Sequence, residues 1–251
     1  MPAAIPSSIL ASPRRIASAL CLFMWIAPLA HAQDAPKPQQ AVIMNSHGFL
    51  AAHPDLRWRQ RGLEELRDDQ PEAALEYFKR ASRYADKPSQ AMVAEMLWTG
   101  WGTAVDRPLA YAWMDLAAER TYMPFLAQRE EYWNALDEAE RTRARQVGTA
   151  VHAEYGDAVA KPRLAGKLRF GRRTTGSRTG FVGSLKVYLP GGVVDGSHYY
   201  DKQYWQPEKY WAWQDRIWKA PHTGRVDVLP LEVVDDEATP PAEDGGDGGQ
   251  P

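Results

Sequence analysis

The chain has 251 residues and a near-average composition, with 44% apolar and 25% charged side chains. These fractions exclude a collagen-like chain, a wholly disordered chain and a polytopic membrane protein. A formal net charge of −2 argues against a general nucleic-acid binder, and a single cysteine excludes an internal disulfide framework and a multi-cysteine zinc site. The unusual feature is the presence of 10 tryptophans and 11 tyrosines.

The first 32 residues have the three-part order of a secretory signal peptide. Arg14 and Arg15 close a basic region, and residues 16–30 are uncharged and strongly apolar. This run is shorter than the roughly 20 residues that span a bilayer. An A-x-A pattern ends at Ala32, so the sequence predicts cleavage between Ala32 and Gln33.

Cleavage at this point removes the only cysteine. Cys21 lies inside the apolar run and follows the bulky Leu20, which is unlike a lipoprotein acylation site. The mature chain is then cysteine-free, and its folding does not depend on the redox state of an oxidising compartment. The sequence therefore predicts a periplasmic or secreted protein with no stable membrane insertion after signal cleavage.

The next two stretches differ in periodicity. Residues 33–53 carry proline and glutamine without a clear pattern, which predicts a flexible leader. Residues 54–156 show apolar side chains at helical spacing and almost no strand signal, which predicts a helical domain of six helices. These helices run through residues 58–66, from Pro71 through Ala81, from a Ser89 cap to Gly100, from an Asp106 cap through Ala117, around residues 125–133, and from an Asp137 cap to about Gly156.

Two of the predicted helices repeat one another at an offset of 36 residues. The run Ala74–Ser82 places small, aromatic and apolar residues at the same positions as the run Ala110–Ala118. Such a period is typical of helix–turn–helix solenoids, in which alanines allow two helices to pack closely and each unit needs neighbours to bury its face. The sequence therefore predicts a short stack of helix pairs.

The segment that begins at Ala94 resembles one complete Sel1-like repeat. In that family a helix ends in G-x-G, a short loop carries Asp, and a second helix carries A-x-x-W and a later pair of alanines. The matching residues here are Gly100, Gly102, Asp106, Ala110, Trp113, Met114, Ala117 and Ala118.

The flanking segments depart from this pattern. Residues 58–84 are closer to a tetratricopeptide unit because Arg67–Pro71 replaces the G-x-G loop, and residues 125–155 carry neither signature. The resemblance implies a right-handed α-solenoid that scaffolds protein–protein contacts and has no catalytic residues. It also implies that the first helix of each unit lines the binding face. The candidate protein-binding residues are Arg57, Arg61, Glu65, Glu95 and Trp98.

Residues 161–183 contain seven basic residues and no acidic one. The glycine-rich stretch 171–180 has turn-forming composition, and arginine forks beside free backbone N–H groups hold phosphate or carboxylate. Arg172, Arg173 and Arg178 are therefore candidate anion-binding residues. Neither of the glycine-rich nucleotide-binding patterns occurs here, so a solvated basic loop and a patch for an anionic partner both stay open.

Residues 157–234 predict a small α+β or irregular C-terminal module that is rich in aromatic residues. Strands are predicted at 185–189, around 193–194, at 225–228 and at 231–234, with a helix that begins after Pro207. The aromatic residues between 199 and 218 either form its core or stack on saccharide. In the second case the candidate glycan-binding residues are Tyr200, Tyr204, Trp205 and Trp211.

Residues 235–251 combine acidic residues with glycine and proline and predict a disordered tail. Elsewhere, Asp195, His198 and Asp201 invite a hydrolase interpretation, but Asp195 precedes glycine and first suggests a turn. No histidine pair has metal-ligand spacing, and no serine lies in G-x-S-x-G. We therefore expect no enzymatic activity, no catalytic residue, no metal and no cofactor.

The leading hypothesis is an exported, non-enzymatic adaptor that binds a protein partner in the cell envelope through its helical-repeat surface. The alternative is a cell-wall glycan-binding protein in which the C-terminal tryptophans and tyrosines bind peptidoglycan and the repeat acts as a spacer. A third hypothesis is a small enzyme built on the C-terminal module, which requires a pocket that places His198 beside a carboxylate. No nucleic-acid partner is expected.

Overall fold

The computed structural model describes residues 38–174 and 185–220, and it is mainly helical. The helices are α1 (Pro38–Met44), α2 (His47–Ala52), α3 (Pro54–Arg67), α4 (Pro71–Ser82), α5 (Lys87–Thr99), α6 (Arg107–Ala117), α7 (Met123–Ala135), α8 (Glu138–Tyr155), α9 (Asp157–Thr174), α10 (Gly196–Tyr199), α11 (Lys202–Trp205) and α12 (Pro207–Lys219). A 3₁₀ turn covers Ala118–Arg120, and two strands, β1 (Lys186–Leu189) and β2 (Gly192–Asp195), precede α10.

Several predicted segments lie outside the described residues. They are the signal peptide at 1–32, the strands at 225–228 and 231–234, and the acidic tail at 235–251. Across 38–174 and 185–220, no helix has both the length and the apolar character that crossing a bilayer requires.

All six helices predicted between residues 54 and 156 are present, as α3 to α8. Local capping explains their boundaries. Asp106 accepts a hydrogen bond from the Leu109 backbone N–H, and Asp137 forms a capping box with Glu140. The predicted Ser89 cap of α5 is wrong by three residues, because Asp86 accepts the hydrogen bonds of the Ser89 N–H and hydroxyl.

Helices α3 to α8 share one core, which we call the repeat core. Consecutive helices pack on one another from α3 to α6, and α6 packs on both α7 and α8. The two runs that repeat in the sequence bury equivalent positions of α4 and α6. These are Ala74, Phe78, Ala81 and Ser82 in α4, and Ala110, Met114 and Ala117 in α6 with Ala118 in the 3₁₀ turn that follows.

The two glycines of the G-x-G loop are required by backbone geometry. Gly100 ends α5 in the left-handed region with φ of 76°, and Gly102 has φ of 71°. A Cβ on Gly102 would lie 2.5 Å from the backbone carbon of Pro71, the first residue of α4. The loop therefore approaches the start of the preceding helix closely enough that only glycine fits.

The expected flexible leader is wrong for residues 38–52, which form α1 and α2. Ile43 and Phe49 are 2% and 0% exposed, and they belong to a second core that also contains Leu164 and Leu168 of α9. The aromatic residues of α10 to α12 complete this second core. We call it the N/C core because it joins the N-terminal helices to the C-terminal ones. Sequence periodicity alone could not show that a short N-terminal segment covers aromatic side chains about 150 residues later in the chain.

His53 joins the two ends of the described chain. Its Nδ1 lies 2.8 Å from the carbonyl oxygen of Phe49, and its Nε2 lies 2.8 Å from that of Tyr204. Burial lowers the pKa of His53 to about 4, although both carbonyl contacts act in the opposite direction. A neutral imidazole has one N–H, so it donates to one of the two carbonyls.

The basic segment 161–183 was expected to be a loop, but its residues up to Thr174 belong to α9. Ala160, Leu164, Leu168 and Gly171 form a buried stripe at helical spacing along this helix. Pro162 and the glycines obscured the helical pattern. The predicted separation of a repeat domain at 54–156 from a C-terminal module at 157–234 is therefore wrong, since α9 lies in the N/C core with α2 and Leu56 of α3.

Strands β1 and β2 form an antiparallel hairpin, close to the prediction for residues 185–194. Lys186 pairs with Asp195 and Leu189 with Gly192. The Lys186 ammonium lies 3.3 Å from the Asp195 carboxylate at the open end of the hairpin. This small sheet is the β part of the mainly α fold.

A buried ionic cluster connects α5, the 3₁₀ turn and α9. The Lys87 side chain is 0% exposed, and its Nζ lies 2.7 Å from a Glu119 oxygen and 3.2 Å from an Asp157 oxygen. Arg120 donates to both oxygens of Asp157 at 2.7 and 2.8 Å. Because buried charges require partners, this cluster fixes the start of α9 against the repeat core.

Candidate functional site

An open cleft lies where α6, α7 and α8 meet, and we call it the α6–α8 cleft. Its volume is about 460 Å³, within the range of roughly 300 to 1,000 Å³ that is usual for ligand sites. Its lining is made of aromatic, small and charged residues: Tyr111, Ala112, Asp115, Trp133, Ala144, Arg145, Gly148, Thr149 and His152.

The walls of the cleft are aromatic and its floor is made of small residues. The rings of Tyr111 and Trp133 are 4.9 Å apart at an angle of 45°, and the Arg145 guanidinium lies 5.0 Å from the centre of the Trp133 ring. A Cβ on Gly148 would lie 3.8 Å from the Cβ of Ala112. The floor is low because neither helix places a large side chain there.

Two titratable side chains, Asp115 and His152, lie in contact inside the cleft. His152 Nε2 lies 3.2 Å from an oxygen of Asp115, and Arg129 Nη1 lies 3.5 Å from the other oxygen. The hydrogen bond to Asp115 raises the pKa of His152, and the same hydrogen bond lowers the pKa of Asp115. The cleft therefore presents a hydrogen-bonded pair of Asp115 and His152 beside the guanidinium of Arg145.

The Thr149 hydroxyl in the cleft lining is engaged by its own helix. Thr149 is the one aliphatic residue in the lining that carries a hydroxyl group, and this hydroxyl donates a hydrogen bond to the backbone oxygen of Arg145 at 3.4 Å. The hydroxyl is therefore directed at its own helix, whereas a nucleophilic hydroxyl would have to form a hydrogen bond with His152. Among residues 38–174 and 185–220, no three His, Cys, Asp or Glu side chains are grouped to hold a metal ion.

A second cavity is partly enclosed and has a volume of about 10 Å³, which is room for about one water molecule. It lies between the two cores, and its lining includes Asp55, Tyr210 and Trp211. Tyr210 donates a short hydrogen bond to Asp55 Oδ2, while Asp55 Oδ1 and Trp211 Nε1 are buried without a partner. The cavity is too small for a substrate or a peptide, so it is not the candidate site.

The predicted protein-binding residues divide into two groups. Arg57, Arg61 and Glu65 lie on the accessible side of α3, where Arg61 is 3.8 Å from Glu65. Glu95 is 6% exposed and accepts a hydrogen bond from the Tyr132 hydroxyl at 2.5 Å. The prediction is wrong for Glu95, because its carboxylate is used inside the repeat core.

Trp98 is not freely available to a partner either. It is half-buried, and its ring stacks on Tyr132 with centres 3.9 Å apart. The Arg107 guanidinium lies 4.6 Å from the centre of the Trp98 ring. The Trp98 side chain therefore packs α5 against α7.

The candidate glycan-binding residues are largely internal. Tyr204 and Trp205 are 4% and 2% exposed, and Trp205 Nε1 donates to the Tyr199 carbonyl at 2.6 Å. A ring with no open face cannot stack on a sugar, so the prediction is wrong for these two residues. Tyr200 and Trp211 are half-buried at the edge of the same N/C core.

The prediction of an anion-binding loop is wrong for Arg172 and Arg173. Arg172 and Arg173 are exposed in the last turn of α9 rather than in a loop, and Arg178 lies outside the described residues. The enzyme hypothesis singled out Asp195 and Asp201. Both residues are N-caps, and they accept hydrogen bonds from the Ser197 and Gln203 backbone N–H groups. These two carboxylates therefore cap helices, as the Asp195-Gly196 sequence suggested.

The cleft residues were not predicted as a site, although a signal for them exists. Four polar contacts join residues that are 37 positions apart: Glu95 with Tyr132, Asp106 with Arg143, Asp115 with His152, and Arg120 with Asp157. An offset of 37 residues from α6 to α8, one more than the offset of 36 from α4 to α6, places His152 beside Asp115.

The chain matches no family model, no curated protein and no solved structure.

Proposed function

We propose that the chain is an exported, non-enzymatic adaptor that holds a segment of a protein partner in the α6–α8 cleft. The observation that carries this proposal is the cleft itself, open to solvent and about 460 Å³ in volume. Its low floor between Tyr111 and Trp133 accommodates an apolar side chain. The hydrogen-bonded pair of Asp115 with His152 and the guanidinium of Arg145 supply polar contacts for a peptide backbone or an adjacent charged side chain.

The adaptor in this proposal is a short right-handed α-solenoid of Sel1-like or tetratricopeptide-like pairs. The constant separation of 37 residues in four polar contacts supports it, because equivalent positions of successive repeats lie side by side in a solenoid. The left-handed Gly100 and the close approach of Gly102 supply a geometric reason for the family's G-x-G loop. Export rests on the signal-peptide pattern of residues 1–32.

A photo-crosslinking experiment tests the proposed function. Benzoylphenylalanine replaces Tyr111 in the full chain, which is expressed in its host and irradiated in intact cells. The matched control places the same residue at Tyr188, which is 80% exposed on β1 and far from the cleft in sequence. We expect a discrete cross-linked protein from the Tyr111 position that is absent from the Tyr188 position, in an envelope fraction. The same products from both positions, or none from Tyr111, would contradict the proposal.

A further inference from the structure

A second surface alternates arginine and aromatic side chains along α3 and α4. The rings of Trp58 and Tyr77 are stacked with centres 5.7 Å apart and an interplanar angle of 17°. Arg80 lies 5.4 Å from the centre of the Trp58 ring and 5.3 Å from that of Tyr77. Arg57 lies 4.4 Å from the Trp58 ring, and Arg61 lies 5.8 Å from the Tyr77 ring. We call these five residues the arginine–aromatic ladder.

Two charges of the ladder are not neutralised. Arg61 has carboxylate neighbours, with Glu64 at 2.9 Å and Glu65 at 3.8 Å. Arg57 and Arg80 form no ion pair with any carboxylate of the described residues. Their position on the rings orders both guanidinium groups before any ligand arrives, which lowers the entropy cost of binding.

We infer that the ladder binds an acidic segment of the protein partner through the guanidinium groups of Arg57 and Arg80. Arginine presents a planar fork of N–H donors that matches a carboxylate. The guanidinium groups lie over the rings of Trp58 and Tyr77, both half-buried, so these rings offer little free face to a sugar or to the apolar part of a membrane. This inference rests on the proposed function, but it concerns a face of α3 and α4 rather than the cleft.

The test measures binding of a defined acidic probe to the mature chain. The probe is an octaglutamate peptide, an octaglutamine peptide is the neutral reference, and tryptophan fluorescence or calorimetry reports binding. The variants are Arg57→Gln and Arg80→Gln. The matched control is Lys79→Gln, which removes a cation of α4 that already pairs with Glu76 at 3.0 Å.

We expect octaglutamate to bind the wild-type chain at least tenfold more tightly than octaglutamine does. Arg57→Gln and Arg80→Gln each weaken octaglutamate binding about tenfold, because each removes a charge-assisted contact, whereas Lys79→Gln changes it less than twofold. Binding also weakens from about 0.02 M to about 0.5 M salt, as expected for exposed charges. Unchanged thermal melting of all three variants establishes that they fold.

Equal affinity for the two peptides would overturn the inference, as would equal effects of the arginine variants and Lys79→Gln. Two further arms examine other anions, inorganic phosphate and vesicles that contain anionic lipid. Tighter arginine-dependent binding of either one than of octaglutamate would reject a carboxylate ligand. A Gly148→Leu variant, which fills the α6–α8 cleft, keeps octaglutamate binding if the ladder is an independent site. Failure of the cleft proposal is therefore distinguishable from failure of this one.

Discussion

Three of the helical glycines test the packing with the same small change. Gly62 is in α3, Gly148 in α8 and Gly166 in α9. In a helix interior, alanine is favoured over glycine by about 0.5 to 1 kcal/mol because glycine loses more backbone freedom on folding. Differences between the three substitutions therefore report the space around each Cβ.

The structure predicts opposite signs within this set. A Cβ on Gly148 would make an ordinary contact at 3.8 Å with Ala112, and a Cβ on Gly166 would meet nothing within 4 Å. Gly148→Ala and Gly166→Ala should each raise the free energy of unfolding by about 0.5 to 1 kcal/mol. A Cβ on Gly62 would lie 2.6 to 2.9 Å from three ring atoms of Phe78, which is 0% exposed.

Gly62→Ala should therefore be destabilising. Overpacking of a close-packed core costs about 1 to 3 kcal/mol, which exceeds the gain in helix propensity and leaves a net loss of about 0.5 to 2 kcal/mol. Urea denaturation followed by circular dichroism measures all three variants. In a Phe78→Leu background the clash is removed, so Gly62→Ala should there become neutral or stabilising. A Gly62→Ala variant as stable as Gly148→Ala would refute the packing of α3 on α4.

Two further predictions concern pH. The pKa of His152 is raised above 6.5 by its hydrogen bond to Asp115, so its contribution to stability is present below pH 6.5 and is lost as pH rises through the folded-state pKa. His152→Gln should cost more stability at pH 5.5 than at pH 8.5, and NMR titration should show a lower pKa for His152 in Asp115→Asn. Burial, followed by the charge of Asp86, raises the pKa of Asp55 to about 7, so its contribution is lost as pH rises from about 4 through 7. Urea denaturation of Asp55→Asn should show a smaller loss of stability over this interval. An unchanged pH profile would contradict the burial of the Asp55 carboxyl group near Asp86.

The helices of the repeat region could be predicted because their signals are local. Asp106 and Asp137 cap helices through backbone groups three residues away, and Gly100 ends α5 in the left-handed region. The alternation of small and large residues in α4 and α6 then indicated which faces are buried. These features depend on neighbours within about one turn, so a single sequence contains them.

The N/C core could not be predicted in the same way. Phe49 lies in a segment whose composition suggests a linker, and its partner Trp205 lies in a segment whose aromatic content suggested a ligand platform. Phe49 and Trp205 pack against each other in the N/C core. Contacts between distant segments leave no periodic pattern in the sequence, so the sequence contains both apolar surfaces but does not show that they pack together.

The candidate site was missed for a related reason. Tyr111 and Asp115 lie in α6 and His152 lies in α8, and the cleft exists only because Ala144 and Gly148 leave space between these two helices. The resemblance to the repeat family names Arg57 and Arg61 as protein-binding candidates, and that role stays a prediction. Their arrangement with Trp58, Tyr77 and Arg80 needed the packing of α3 on α4.

If a partner segment occupies the α6–α8 cleft, a side chain that fills the cleft weakens binding of that partner. The dissociation constant of the partner recovered by cross-linking at Tyr111 is determined for the wild-type chain, for Gly148→Leu and for Gly166→Leu. The leucine at 148 fills the cleft floor, whereas the leucine at 166 enters open space on α9. We expect at least tenfold weaker binding for Gly148→Leu and wild-type affinity for Gly166→Leu, with both variants folded. Wild-type affinity in Gly148→Leu would show that the partner does not occupy the cleft.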